Sequence, residues 1–222
     1  MGEVGVVLLG PPGDAAGLAP RCSFDAVTGG DAGELRTRAA VVGLAVEPWP
    51  AFAREHDRVR DAVSPAPYFA VQSWHLHPAY VDRLASAVER TRSTAREDLH
   101  VLFTAPGPEA EPEPGEVVFL RETAEAVSAR LGLARRSIAW TSGVLGPSSL
   151  AALTALTEAH GRSAVLHCSL DPLSRTDDVA AEAAHLGVEL TAARLDRDDL
   201  AAVLEAVVAT VVDHEQLERA GR

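Results

Sequence analysis

The stretch "LHVLFTAPGPEAEPEPGEV", residues 99–117, decides the fold. Val101 to Thr104 are apolar or β-favouring, and they run without transition into a loop holding four prolines and two glycines. A strand that stops this abruptly is bounded by turn chemistry rather than by a change of period. Its near-continuous apolar character suits a strand buried on both faces, as parallel sheets require. In such sheets ligands bind beyond the carboxyl ends of the strands, which here means Thr104 to Gly107.

The same pattern repeats outward from that strand. Strands are expected over 4–9, 38–45, 67–73, 98–104, 136–141, 163–169 and 188–193. Helices are expected over 50–63, 78–93, 118–132, 148–160, 175–187 and 197–213. Within 78–93, Val81, Leu84, Ala85 and Val88 keep the i, i+3, i+4, i+7 spacing of one helix face. Gly132 and Gly187 stand where helix C-caps belong. Alternating strands and helices imply an α/β fold with parallel sheets. Residues 10–37 break the rhythm, with six glycines and three prolines, and read as an irregular excursion. No internal repeat is evident, although the alternation permits two similar lobes joined near 74–97.

Composition narrows the functions. The 222 residues, 47% hydrophobic and 23% charged, suffice for one large or two small domains with a real core. A net charge of −12 argues against a nucleic-acid surface. All twenty basic residues are arginine, so neither a lysine Schiff base nor a Walker-type lysine is available. No apolar run approaches the length of a transmembrane helix. The N-terminus lacks the marks of a signal peptide. Cys22 and Cys168 supply no disulfide framework, and cytoplasmic residence follows as the expectation.

Several motifs invite a functional reading and meet a plainer one. "LLGPPGDAAG" after the first strand has the glycines of a phosphate loop, but Pro11 and Pro12 delete amide donors that a phosphate needs. His75 and His77, in "QSWHLHP", would share one side of an extended backbone and so are the candidate metal ligands; entry into the helix at Pro78 is the competing role. His167 and Cys168 are adjacent on one strand and point to opposite faces, with Cys168 a core residue by default. Asp177 and Asp178 are helix-start acids, which leaves Asp171, nearest the strand end, as the site candidate of "SLDPLSRTDD". Ser142 in "WTSGVLGP" also ends a strand, without the G-x-S-x-G of a serine hydrolase.

In order, these segments resemble the ferrochelatase family, the class II chelatases that insert iron into a porphyrin. "VLFTAPGP" is similar to the family strand ending F-S-A-H-G-L-P, "ETAEAVSARLGL" to the helix after it, and "IAWTSGVLGP" to the strand with Q-S-x-x-G-P. "SAVLHCSLDPLSRTDDVAAEAAHLGVEL" follows the strand, loop and helix of the later glutamate motif. Upstream, "AVVGLAVEPWPAF" resembles the strand leading to Y-P-Q-Y-S, "FAVQSWHLHPAYVDRLASAV" the strand and helix that join the lobes, and "VGVVLLGPPGD" the opening strand. The resemblance implies two Rossmann-like lobes with a porphyrin between them: a reduced N-terminal lobe over 1–74 keeping three strands, a joining helix over 75–97, and a C-terminal lobe over 98–222. It implies ligand contacts from Trp49, Trp74, Thr104, Gly107, Ser142 and Asp171, and a cleft near Trp74, Pro106 and Asp171.

The departures from the family pattern fall on its chemistry. The catalytic histidine of F-S-A-H falls on Pro106, and proline can neither accept a pyrrole proton nor hand over a metal. The glutamate motif F-x-S-D-H-x-E is also lost, since Leu170 to Asp177 holds neither His nor Glu. Three readings follow, in order of preference. One is a degenerate member that binds a porphyrin, heme or a protein partner with little or no metal insertion. Another is a divergent active chelatase inserting Fe2+ with the help of His75, His77 or Asp171. The third is a small-molecule-binding α/β module with no tetrapyrrole role. The reduced first lobe would leave much of a macrocycle wet, so porphyrin binding is expected to be micromolar.

Overall fold

The computed structural model describes residues 4–47, 53–94, 99–107, 118–161, 164–173 and 177–220. The chain divides into two compact units, Met1–Ala79 with Asp196–Arg222, and Tyr80–Leu195.

The first unit is built on a four-stranded parallel sheet. β1 (Val4–Leu9) pairs with β2 (Asp25–Thr28) on one side and with β3 (Ala40–Ala45) on the other. β4 (Tyr68–Val71) closes the far edge, giving the order β2-β1-β3-β4. β1 and β3, the inner strands, are the near-continuous apolar runs VGVVLL and AVVGLA, buried from their second residue onward. Inner strands of a parallel sheet have helices on both faces and no wet side, so alternation is lost. The helices are α1 (Pro12–Leu18), α2 (Ala53–Val63) and α7 (Arg197–Ala220). Val7, Leu9, Leu35, Val41, Val59 and Val63 form one apolar cluster of this unit. α7 is tied to the early chain by the Arg21–Asp198 ion pair and by the Ser23 amide donating to Glu205 at 2.5 Å.

The second unit repeats the plan. β5 (His100–Ala105) lies between β6 (Arg136–Trp140) and β7 (Val165–Ser169), and β8 (Leu190–Ala193) forms the outer edge beside β7. The order β6-β5-β7-β8 is the same 2-1-3-4 arrangement as in the first unit, again all parallel. α3 (Pro78–Ser93), α4 (Val118–Leu131), α5 (Ser149–His160) and α6 (Asp177–Leu186) complete the elements. Leu102, Ala139, Leu153, Val165, Val179 and Ala183 form a core cluster between sheet and helices. Gly132 and Gly187 end α4 and α6 at φ 62° and 68°, the left-handed C-cap that favours glycine.

The stretch 10–37 is not irregular. It holds α1, 3-10 turns at Ala19–Arg21 and Gly29–Leu35, and the strand β2. The first unit therefore has four strands rather than the expected three. β2 is only DAVT, an outer strand of mostly half-buried residues paired on one side alone, so it lacks the apolar signature of the inner strands. α1 carries Gly13 and Gly17, poor helix formers, and forms around the burial of Ala15 and Leu18. Tertiary packing overrides local propensity at both places.

Candidate functional site

In each 2-1-3-4 sheet the strand order reverses between the two inner strands, and the carboxyl side of that junction is where doubly wound sheets take ligands. In the second unit the junction lies between β5 and β7. There Thr104, Ala105, Pro106 and Gly107 meet Ser169, Leu170 and Asp171, with Trp140 to Ser142 on the other flank.

Backbone bonds hold these strand ends together past the sheet proper. The Leu170 amide donates to Thr104 O at 2.7 Å, Thr141 to Ala105 O at 3.0 Å, and Gly107 to Ser142 O at 3.1 Å. A Cβ on Gly107 would lie 2.4 Å from Ser142 O and 3.3 Å from Trp140 Cε3. The glycine thus allows the β5 and β6 ends to close on each other. Pro106, beside it, is exposed.

The side chains of Thr104, Ser169 and Asp171 at this edge are already engaged. Thr104, fully buried, bonds through Oγ1 to His167 Nε2 at 2.7 Å, and His167 is itself fully buried. Burial, and then the charge of Arg194, lowers the His167 pKa to about 4, so the imidazole is neutral near pH 7. Its Nδ1 is buried with no hydrogen-bond partner among the described residues. Cys168, pointing the other way, is pushed up to about 12 by burial and is an inert thiol. Asp171 accepts from the Leu173 amide at 2.9 Å through Oδ1, an Asx-type turn, while Ser169 Oγ donates to the Asp171 carbonyl at 2.8 Å. The Tyr80 hydroxyl donates to Leu170 O from inside the core, and burial, then Cys168 and Asp171, raises its pKa.

The other nominated residues belong to the first unit, at the carboxyl end of β4. Trp74 is 3% exposed and its indole N–H donates to Ala45 O at 2.8 Å, so it ties β4 to β3. His75 and His77 do not sit on extended backbone. Residues 74–77 make a turn closed by His77 N donating to Trp74 O at 2.9 Å, which removes the premise that the two rings share a side. His75 is buried. His77 Nδ1 accepts from the Ala79 amide at 3.3 Å at the start of α3, and Nε2 lies 3.1 Å from Thr210 Oγ1 on α7. Thr210 in turn donates to Ala206 O, so this chain of bonds suits a neutral ring with its proton on Nε2. Burial lowers the His77 pKa in keeping with that. Among the described residues no group of three His, Cys, Asp or Glu is placed to hold a metal ion. Trp49 lies outside the described residues, as does the proline-rich loop 108–117.

Thr104, Gly107, Ser142 and Asp171 therefore share one edge of the second unit, while Trp74, His75 and His77 share an edge of the first. Sequence reasoning did not single out Trp140 or the Thr104–His167 pair. Trp140 was within reach, two residues before Ser142 in "IAWTSG". Among the described residues this edge is rimmed by backbone, carries the Asp171 carboxylate and has a neutral histidine behind it.

The fold matches the solved structure of CbiX, the terminal enzyme for biosynthesis of siroheme in denitrifying bacteria. The TM-score is 0.61 at 15% sequence identity, over 94% of this chain and 98% of that one. No family model matches the sequence. No curated protein matches it either. Among the described residues no helix is long and apolar enough to cross a membrane.

Proposed function

We propose that the chain is a tetrapyrrole-binding protein of chelatase type, cytoplasmic and of ferrochelatase-like descent, which holds a porphyrin with little or no metal insertion. The observation that carries this reading is the likeness to a siroheme-biosynthesis enzyme across nearly the whole of both chains. The ordered motif resemblance to ferrochelatases points to the same ligand class from the sequence alone.

The loss of insertion follows from the chemistry of the β5 end. Inserting a metal requires a group that accepts pyrrole protons next to the ring. Pro106 stands where the resemblance puts that group, and it has no lone pair to offer. His167 is buried and bonded to Thr104. Asp171 is turned onto its own loop by the Leu173 amide. What these residues do in this reading is shape a backbone-rimmed edge against which a flat ring rests, with Gly107 and Trp140 closing its floor. Fe2+ enters only as the substrate that an active relative would insert.

The test is a titration of the purified full-length chain with coproporphyrin, protoporphyrin and sirohydrochlorin, followed by Soret absorbance and tryptophan fluorescence. Binding without zinc or iron insertion supports the proposal. Insertion at a rate ordinary for a chelatase removes its second half, and no spectral change with any ring removes the whole of it.

A further inference from the structure

A cavity of about 430 Å³ opens in the first unit at the carboxyl ends of β1 and β2, lined among others by Leu8, Leu9, Ala15, Val59, Gly30 and Arg58. The sequence explains why it is hollow. β2 ends at Thr28 and is followed by Gly29 and Gly30, so no side chain fills the space above the strand. A Cβ on Gly30 would meet nothing within 4 Å, and one on Gly29 only the tip of Leu9 at 3.5 Å. The volume falls within the range of small-molecule sites, roughly 300–1,000 Å³.

Its walls are of two kinds. The floor is apolar: Leu9, Ala15 and Val59 show it only the edges of otherwise buried side chains, while Leu8, next to Leu9 on the strand, points to the opposite face of the sheet. At the mouth, Glu55 and Arg58 come from the same face of α2 as Val59 by their i, i+3, i+4 spacing. Arg58 meets Glu55 at 3.9 Å, too long for a direct hydrogen bond, so its N–H fork is not committed to that partner. A phosphate is disfavoured, because Pro11 and Pro12 remove the amides that would follow Gly10. A planar carboxylate suits a lone guanidinium, which grips it in two parallel hydrogen bonds.

We propose that this cavity binds a small amphipathic carboxylate, its apolar body over Leu9, Ala15 and Val59 and its carboxylate on Arg58. The site belongs to the first unit alone and does not depend on the tetrapyrrole reading. Glu55 sets the selectivity: it disfavours a dianion and tolerates a single negative charge paired with Arg58.

The experiment is a titration of the 15N-labelled full chain with phenylacetate and hexanoate, each against its neutral amide. Both acids are expected to shift the amides of residues 8–10, 28–30 and 55–59, and to bind about tenfold more tightly than the amides. Arg58→Ala, at a side chain 78% exposed, is expected to abolish that tenfold preference while the chain stays folded. Gly30→Leu fills the void and is expected to remove binding of acids and amides alike. The proposal fails if no shifts reach those residues at about 10 mM ligand, a concentration that would reveal even millimolar affinity. It also fails if acid and amide bind equally to the wild-type chain, or if Arg58→Ala leaves the preference intact.

Discussion

Replacing Gly107 by alanine tests the architecture of the β5 edge. The added Cβ would stand 2.4 Å from the Ser142 carbonyl oxygen, about 1 Å inside the ordinary C···O approach of 3.3–3.6 Å. The obstacle is backbone, so no side-chain rotation relieves it. The β5 and β6 ends must part, which stretches the Gly107 N–Ser142 O bond of 3.1 Å. Overpacking of this kind costs about 1–3 kcal/mol, and the strained hydrogen bond adds about 1 kcal/mol. Reduced freedom of the unfolded chain returns about 0.4–1 kcal/mol. The expected net loss is about 2 kcal/mol, or roughly 4–8 °C in Tm for a chain of this size. Urea unfolding followed by far-UV circular dichroism measures it. Fluorescence reports the site directly, because Trp140 Cε3 lies 3.3 Å from the same Cβ. Gly33→Ala is the control, since nothing lies within 4 Å of its Cβ. A stability change for Gly107→Ala no larger than about 0.5 kcal/mol, the ordinary scatter of surface substitutions, refutes the close approach of the two strand ends.

Gly43→Ala drives a Cβ to within 1.8 Å of the Tyr68 hydroxyl, which is bonded to the buried His56 at 2.6 Å. A loss of about 2–3 kcal/mol is expected, and a double-mutant cycle with Tyr68→Val should recover at least about 1 kcal/mol of it. His167 has its pKa lowered from 6.5 to about 4, so the unfolded chain binds the extra proton between those values. Its contribution is full above pH 6.5 and falls as pH drops toward 4, by up to about 3 kcal/mol; His167→Gln should flatten stability-versus-pH profiles in that window. Pro106→His places an imidazole at the exposed end of β5, and zinc insertion into protoporphyrin should rise at least about tenfold over wild type if the edge faces the ring.

The inner strands were legible because burial on both faces writes itself as an apolar run: VGVVLL, AVVGLA, HVLFTA and VLHCS all lie where expected. The ends of β5, β6 and β7 gave Thr104, Gly107, Ser142 and Asp171, which do share one edge, because parallel sheets send their carboxyl ends the same way. β2 and α1 were not legible, since a four-residue outer strand and a seven-residue helix with two glycines form only through contacts with β1 and the core. The histidines show a second limit. His77 is fixed by Thr210, 133 residues later, and His167 by Thr104, 63 residues earlier. No local spacing encodes such pairs. Trp74 reads as an aromatic wall in sequence, yet its indole N–H is spent on Ala45.

The central claim is that this chain holds a tetrapyrrole without metallating it, and porphyrin titration by Soret absorbance tests it most directly. The account predicts saturable binding with Kd at or below about 10 μM, equivalent to about −7 kcal/mol. The bound ring should quench tryptophan fluorescence and keep its metal-free spectrum when zinc or iron is added. An unchanged Soret band up to about 100 μM porphyrin, weaker than about −5.5 kcal/mol, or a metalloporphyrin spectrum appearing within minutes, would contradict it.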